Sequence, residues 1–237
     1  MDRAYEEDPD SAAAEYGAEF RSDIEQFISR EAIETCVATG VKARAPVSGV
    51  RYMGFCDPSG GTTDAMAMAI AHKKGNVVVL GCLVERIPPF SPDSLCREFA
   101  ATFQAYGVSK ILGDRYAGEW PREAFLRYSI EYQPCSKSKS EIYGTLLPLI
   151  NSGRVDLLDD KALIGQLVNL ERRVGWGGRD SIDHGPGTHD DRINVAAGAL
   201  IGASEAASLG QAGFFDFITS DLRKRAEAAE LDCAQTK

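Results

Sequence analysis

The chain has 237 residues, 44% of them hydrophobic, and a formal net charge of −9, which is enough to bury one sizeable core but short for two independent ones. No apolar run approaches the roughly 20 residues that cross a bilayer, and the acidic, Ala-rich start has the make-up of neither a secretory signal nor a transit peptide. The negative charge argues against a polyanionic partner, but residues 1–35 alone hold eleven Asp/Glu and three Arg, a balance of −8 that leaves −1 for the remainder.

In chain order, residues 1–48 read as an acidic, partly helical leader. Asp10 or Ser11 can cap a helix through Ala12 to Phe20, and Phe20, Ile24, Phe27 and Ile28 recur at helical spacing. Pro46, Ser48 and Gly49 are breakers that mark the entry to a main domain expected over 49–210. There the pattern turns to β. Apolar runs at 52–56, 65–71 and 76–84, the last two separated by Lys73-Lys74-Gly75-Asn76, predict three adjacent antiparallel strands. Ser91-Pro92-Asp93 opens a helix with Leu95, Phe99, Phe103 and Tyr106 on one stripe, leading into a short strand at 110–113.

A second helix is predicted around 121–128, a strand at 130–133, a third helix at 141–150 and a fourth at 161–171 with Leu163, Leu167 and Leu170 on one side. Residues 172–186, rich in Gly and charge, read as a loop or ragged hairpin, and a final helix runs from 189 to about 207. Residues 211–237 form a charged, Ala/Glu-rich tail to which the sequence assigns no role. The six cysteines, at 36, 56, 82, 96, 135 and 233, lack the close pairs of a zinc site or redox motif and read as reduced core thiols. This order of elements is that of an α/β, ribonuclease-H-like mixed sheet: three antiparallel strands, then parallel strands, flanked by helices.

Four aspartates fall where such a sheet delivers chemistry. Asp57 closes the first strand and opens Asp57-Pro58-Ser59-Gly60-Gly61, Asp114 follows the strand at 110–113, and Asp190-Asp191 stand at the start of the last helix. Carboxylates brought to one sheet edge raise each other's pKa unless a cation of high charge density sits among them. The implied cofactors are two divalent cations, Mg2+ or Mn2+, which in such sites bracket a phosphodiester. Pro58 favours an extended Asp57, and Gly60-Gly61 allows a tight turn and close phosphate approach.

Each motif also has a plain structural reading: a tight turn for Asp57-Pro58-Ser59-Gly60-Gly61, a helix cap for Asp114, and acids at the positive end of a helix for Asp190-Asp191. The metal reading rests on all of them together. Asp190 lies nearer the face marked by Ile193, Ala196, Ala197, Leu200 and Ile201, but first-turn phase is a poor guide and both acids stay candidates. Asp64 is an auxiliary candidate or a strand-edge acid, and His189 either orients a water, binds metal or caps the helix. Lys137 and Lys139, within Ser136-Lys137-Ser138-Lys139-Ser140, with Arg115, Arg172, Arg173, Arg179 and Arg192, are the candidate DNA phosphate contacts. No module for sequence-specific reading is present.

Four segments, FCDPSGGTTDAMAMAI at 55–70, ILGDRYAGEW at 111–120, KSKSEIYGTLLPLINSGRVDLLDD at 137–160 and GTHDDRINVAAGAL at 187–200, resemble the nuclease domain of the large terminase subunit of tailed bacteriophages and prophages. The leader EEDPDSAAAEYGAEFRSDI at 6–24 resembles the segment C-terminal to the ATPase domain in such proteins. The resemblance implies a metal-dependent endonuclease that cuts concatemeric viral double-stranded DNA during packaging with little sequence preference. Its metal-binding acids would be Asp57, Asp114 and the Asp190-Asp191 pair, with Asp64 as auxiliary. It also implies as partners a terminase ATPase domain, a small terminase subunit and a portal protein, with no membrane, and action in the bacterial host cytoplasm and transiently at the procapsid portal. The sequence has no Gly-x-x-x-x-Gly-Lys-Ser/Thr phosphate loop, so ATP hydrolysis is not expected. Two other readings stay open: a Holliday-junction resolvase or transposase-like nuclease of the same fold, and a non-catalytic docking module for the portal or small subunit.

Overall fold

The computed structural model describes residues 24–114, 118–173, 181–209 and 211–235. Its centre is β3 (Tyr52–Asp57), flanked by β4 (Met66–Lys74) on one side and β6 (Lys110–Gly113) on the other. With β2 (Val37–Ala38), β5 (Val77–Arg86), β7 (Glu131–Pro134) and β8 (Val155–Leu158) they form a seven-stranded sheet of order β2-β8-β5-β4-β3-β6-β7. Only the pairings of β4 with β3 and β5 are antiparallel; the others are parallel. This is the ribonuclease-H-like mixed sheet that the order of elements predicts.

Alternation along the strands assigns two faces. Met53, Phe55, Ala67, Ala69, Ala71 and Leu112 face one core, and Tyr52, Cys56, Met66, Met68, Ile70 and Ile111 face the other. The second core is closed by α2 (Pro92–Ala105) and α3 (Trp120–Leu126). Ser91 caps α2 by accepting from Ser94 N, as its Ser-Pro-Asp start predicts. The first core is closed by α4 (Lys139–Asn151), α5 (Lys161–Val168) and above all α6 (Asp191–Leu209). Residues Ile193 to Ala203 of α6 are all buried, so the helix is apolar on every side.

Such a helix can lie this close to the sheet only where side chains are missing. A Cβ on Gly198 would stand 2.3 Å from the Phe55 ring, and one on Gly202 would stand 2.9 Å from Met53. The alanines of β4 continue the same low surface.

The leader differs from its expectation. Ile24–Gln26 is a strand, β1, where helical spacing predicts a helix; it pairs antiparallel with β9 (Leu170–Arg173), which pairs with β10 (Ser181–His184). The following α1 (Arg30–Thr35) and β2 are packed into the domain, with Ile28, Ile33 and Cys36 in the first core. The helix expected over 12–20 lies outside the described residues. At the other end α5 stops at Val168, because Leu170 turns into β9 while staying buried beside Leu163 and Leu167. The tail is a helix, α7 (Gln211–Gln235), whose Phe214, Phe215 and Ile218 seal the first core.

Adding a methyl group at Gly198 should therefore force α6 off β3, and Gly198→Ala is expected to cost about 1–3 kcal/mol in a urea titration. Gly165, on α5 with nothing within 4 Å of a built Cβ, is the opposite case. Gly165→Ala should stabilise by about 0.5–1 kcal/mol.

Candidate active site

Asp57 is the last residue of β3 and, by alternation, falls on the face of Met53 and Phe55, towards α6. Asp114 follows β6 and falls on the face of Leu112, again towards α6. The strands are parallel and adjacent, and the Asp114 backbone N–H donates to Cys56 O at 3.2 Å. The two acids thus stand side by side at one end of the sheet. The start of α6 covers that end: Asp190 precedes the helix, its carbonyl accepting from Asn194 N at 2.8 Å, and Asp191 begins it.

The adjacent acids at this helix start have different surroundings. Asp190 is only 5% exposed. Lys139 Nζ donates to its Oδ1 and Oδ2 at 3.0 and 3.1 Å, and Tyr143 Oη donates to Oδ2 at 2.9 Å. Lys139 and Tyr143 are one turn apart on α4, so one helix face serves one carboxylate. Asp191 is half-buried, and among the described residues no side chain hydrogen-bonds its carboxylate. It opens instead onto a cavity of about 270 Å³ that it shares with Asp64, Glu85, Gln166 and His189. Helix periodicity could not separate the pair because α6 is buried all round; the neighbours on α4 do separate them.

Asp57 is held by a residue that pattern alone does not single out. Asn194, 1% exposed, donates through Nδ2 to Asp57 Oδ2 at 2.6 Å. A polar residue inside the apolar run Ile193 to Ala203 was the available signal. Burial pushes the Asp57 carboxyl up to about 7; the Asn194 hydrogen bond opposes this, Asp114 and Asp191 repel its charge, and Lys139 relieves part of it. Asp191 is also raised, first by burial and then by Asp190.

Asp57 therefore senses both Asp114 and Asp191, yet among the described residues no three His, Cys, Asp or Glu side chains form a ready metal cage. Their chemistry nevertheless fits a divalent cation. The donors are all carboxylate oxygens, which suit Mg2+ or Mn2+ over softer metals, and a buried acid destabilised by its neighbours' charge is what a cation would relieve.

The other candidates are distributed around this centre. Asp64 is exposed, accepts from Thr63 Oγ1 at 3.1 Å and lines the same cavity as Asp191 and His189. Lys137 pairs with Glu205 on α6, and Arg192 donates to Glu85 at 3.0 Å and Asp160 at 2.7 Å. Both cations, like Lys139, are held within the fold. Arg172 and Arg173 lie on β9, the latter paired with Glu171 at 3.3 Å. Arg115 and Arg179 lie outside the described residues.

The large terminase nuclease of thermophilic phage G20c, in a crystal structure with bound magnesium, superposes with a TM-score of 0.63 at 18% identity, covering 74% of this chain and 96% of that one. The fold is that of a large-terminase nuclease. The nuclease domain of the large terminase subunit gp2 of bacterial virus Sf6 gives a TM-score of 0.54 at 16% identity over 75% of this chain and 97% of that one. The large terminase of bacteriophage HK97 gives 0.58 at 16% identity, with 74% of this chain matching 44% of that longer one. At these identities the terminase-nuclease likeness is one of fold. No protein-family model matches the sequence, and no curated protein matches it.

The raised pKa of Asp57 has a measurable consequence. Unfolded, the carboxyl loses its proton near 3.8, and folded only near 7. Its contribution to stability is thus fully present below about pH 4 and lost as pH rises through 7. In chelator, wild type should lose up to about 4 kcal/mol over that window relative to Asp57→Asn. Urea titrations at a series of pH values test this, and parallel profiles for the two proteins would refute it.

Proposed function

We propose that this chain is a divalent-metal-dependent endonuclease of the large-terminase type, which cuts double-stranded DNA during viral genome packaging. The observation that carries the proposal is the delivery of Asp57, Asp114 and Asp191 from two adjacent strand ends and a helix start to one end and one face of the sheet. The terminase-nuclease fold supports it, as does the magnesium bound in the G20c structure.

Asp57, Asp114 and Asp191 would hold the metal. When bound, two divalent cations supply the acidification of water and the neutralisation of developing charge that phosphodiester hydrolysis needs. The protein's part is positioning. Asn194 occupies Asp57 Oδ2, which fixes the plane of that carboxylate. Lys139 and Tyr143 saturate Asp190, which makes it an anchor for the start of α6 and leaves Asp191 as the ligand of the pair. Asp64 and His189 border the cavity on the Asp191 side, where an auxiliary ligand and a water-orienting group would act. No side chain here serves as a nucleophile.

Lys139 is about one-third exposed and places a positive charge beside these acids, where a scissile phosphate would lie. With Lys137 and Arg192 already paired inside the fold, the site is expected to hold DNA weakly by itself. Presentation of DNA would fall to partners: an ATP-driven motor domain, a small terminase subunit and a portal, acting in the host cytoplasm. Within the chain, residues 49–210 would carry the nuclease site, and the leader 1–48 would join it to a motor while lending β1, α1 and β2 to the nuclease fold.

Plasmid DNA incubated with the protein and Mn2+ or Mg2+ tests the proposal. Slow nicking and linearisation with little sequence preference are expected, with a loss of about a hundredfold or more in Asp57→Asn. Equal cutting by that variant, or no cutting with either metal, would overturn the reading, and a strong preference for branched DNA would shift it to a resolvase.

A further inference from the structure

The ladder between β6 and β7 ends at Gly113, opposite Pro134, and Cys135 N donates to Gly113 O at 2.8 Å. Proline has no N–H, so at this end β7 is short of backbone donors. One residue further on, the carbonyl of Asp114 receives a side chain instead: Tyr132 Oη donates to Asp114 O at 2.7 Å.

The phenol is a fixed donor. Tyr132 is buried in the second core, with its ring stacked on Phe125 at 6.0 Å and 9° between planes. It reaches Asp114 by passing beneath Gly113, where a Cβ would stand 2.3 Å from the ring. The ring therefore requires glycine at 113, and the aspartate after it is clamped on both sides, by Cys56 O on its N–H and by Tyr132 Oη on its carbonyl. The approach is from the second core, on the face of the sheet opposite α6, and among the described residues the phenol's hydrogen bond goes to the Asp114 backbone, not to a carboxylate.

We infer that Tyr132 is a positioning residue for metal-dependent cleavage: it holds the backbone of Asp114 so that this carboxylate meets Asp57 across the strand pair. The inference rests on the metal-nuclease reading of the site. It adds a residue from the opposite core, one strand further out, whose contribution to the site is a single hydrogen bond behind a candidate ligand. Groups that orient a metal ligand from behind commonly change metal affinity by about tenfold or more when removed.

Tyr132→Phe keeps the ring, its stacking and its fit over Gly113, and removes only Oη. The Mn2+ concentration for half-maximal cleavage is expected to rise by roughly tenfold, with a smaller change in the rate at saturating Mn2+. Calorimetric titration of the DNA-free protein with Mn2+ should show the same loss of affinity. Because the phenol acts through Asp114, the change should disappear in an Asp114→Asn background, where Tyr132→Phe should weaken the residual Mn2+ binding no further. Unaltered Mn2+ dependence in Tyr132→Phe, or an equal additional loss on top of Asp114→Asn, would overturn the inference and leave Tyr132 as core packing. Wild type that binds no Mn2+, or cutting that survives Asp57→Asn, would instead sink the nuclease reading and this inference with it.

Discussion

The close approach of α6 to β3 is the constraint on which the rest of this molecule depends. Two glycines, Gly198 over Phe55 and Gly202 over Met53, remove the side chains that would hold helix and sheet apart. A helix seated that low brings its own start directly over the end of the central strand, and Asn194 within reach of Asp57. Burial of the helix on every side then supplies the apolar driving force for the first core. The same burial creates the electrostatic difficulty at its N-terminus, because carboxylates placed there are partly cut off from water.

The protein meets that difficulty in two ways. Asp190 is neutralised internally, by an ammonium and a phenol from one face of α4. Asp57 is left facing the charges of Asp114 and Asp191, which Lys139 only partly relieves, and burial raises the pKa of both Asp57 and Asp191. A fold that pairs one acid internally and leaves Asp57 and Asp191 buried close to like charge at the same sheet end would be relieved by a cation. That contrast, more than the presence of four aspartates, makes a metal-dependent chemistry the reading that fits.

Around the acids the supports come from different layers. Asn194 belongs to the helix above the sheet, Lys139 and Tyr143 to its neighbour α4, and Tyr132 to the core on the far side. Ser140, on α4 close to Lys139, also exchanges hydrogen bonds with both backbone groups of Ile182, which fastens β10 to the same helix. The small sheet, including the leader strand β1, is thereby tied to the helix that holds Asp190. The supports share one physical feature: each is buried or partly buried, so its hydrogen bond competes little with water.

Local signals in the sequence were sufficient for much of this. Apolar runs with the Gly75-Asn76 turn marked β3 to β5, Ser91-Pro92 marked the start of α2, and aspartates directly after strand-like runs marked the candidate site, because strand ends and helix caps are written in neighbouring residues. Segments of mixed signal were not legible. Val37–Ala38 and Val155–Leu158 are too short to show a period and become strands only by pairing with each other and, for the latter, with β5. Ile24–Gln26 has helical spacing but is a strand because β9 offers it an edge. The different surroundings of Asp190 and Asp191, the pairing of Lys137 and Arg192 within the fold, and the hydrogen bonds of Asn194, Tyr143 and Tyr132 were likewise decided by contacts between residues far apart in the chain. The sequence by itself determined which carboxylates could meet; only the tertiary structure decided that Asp190 is paired within the fold while Asp57 and Asp191 stand buried near like charge, because that depends on what other elements place beside them.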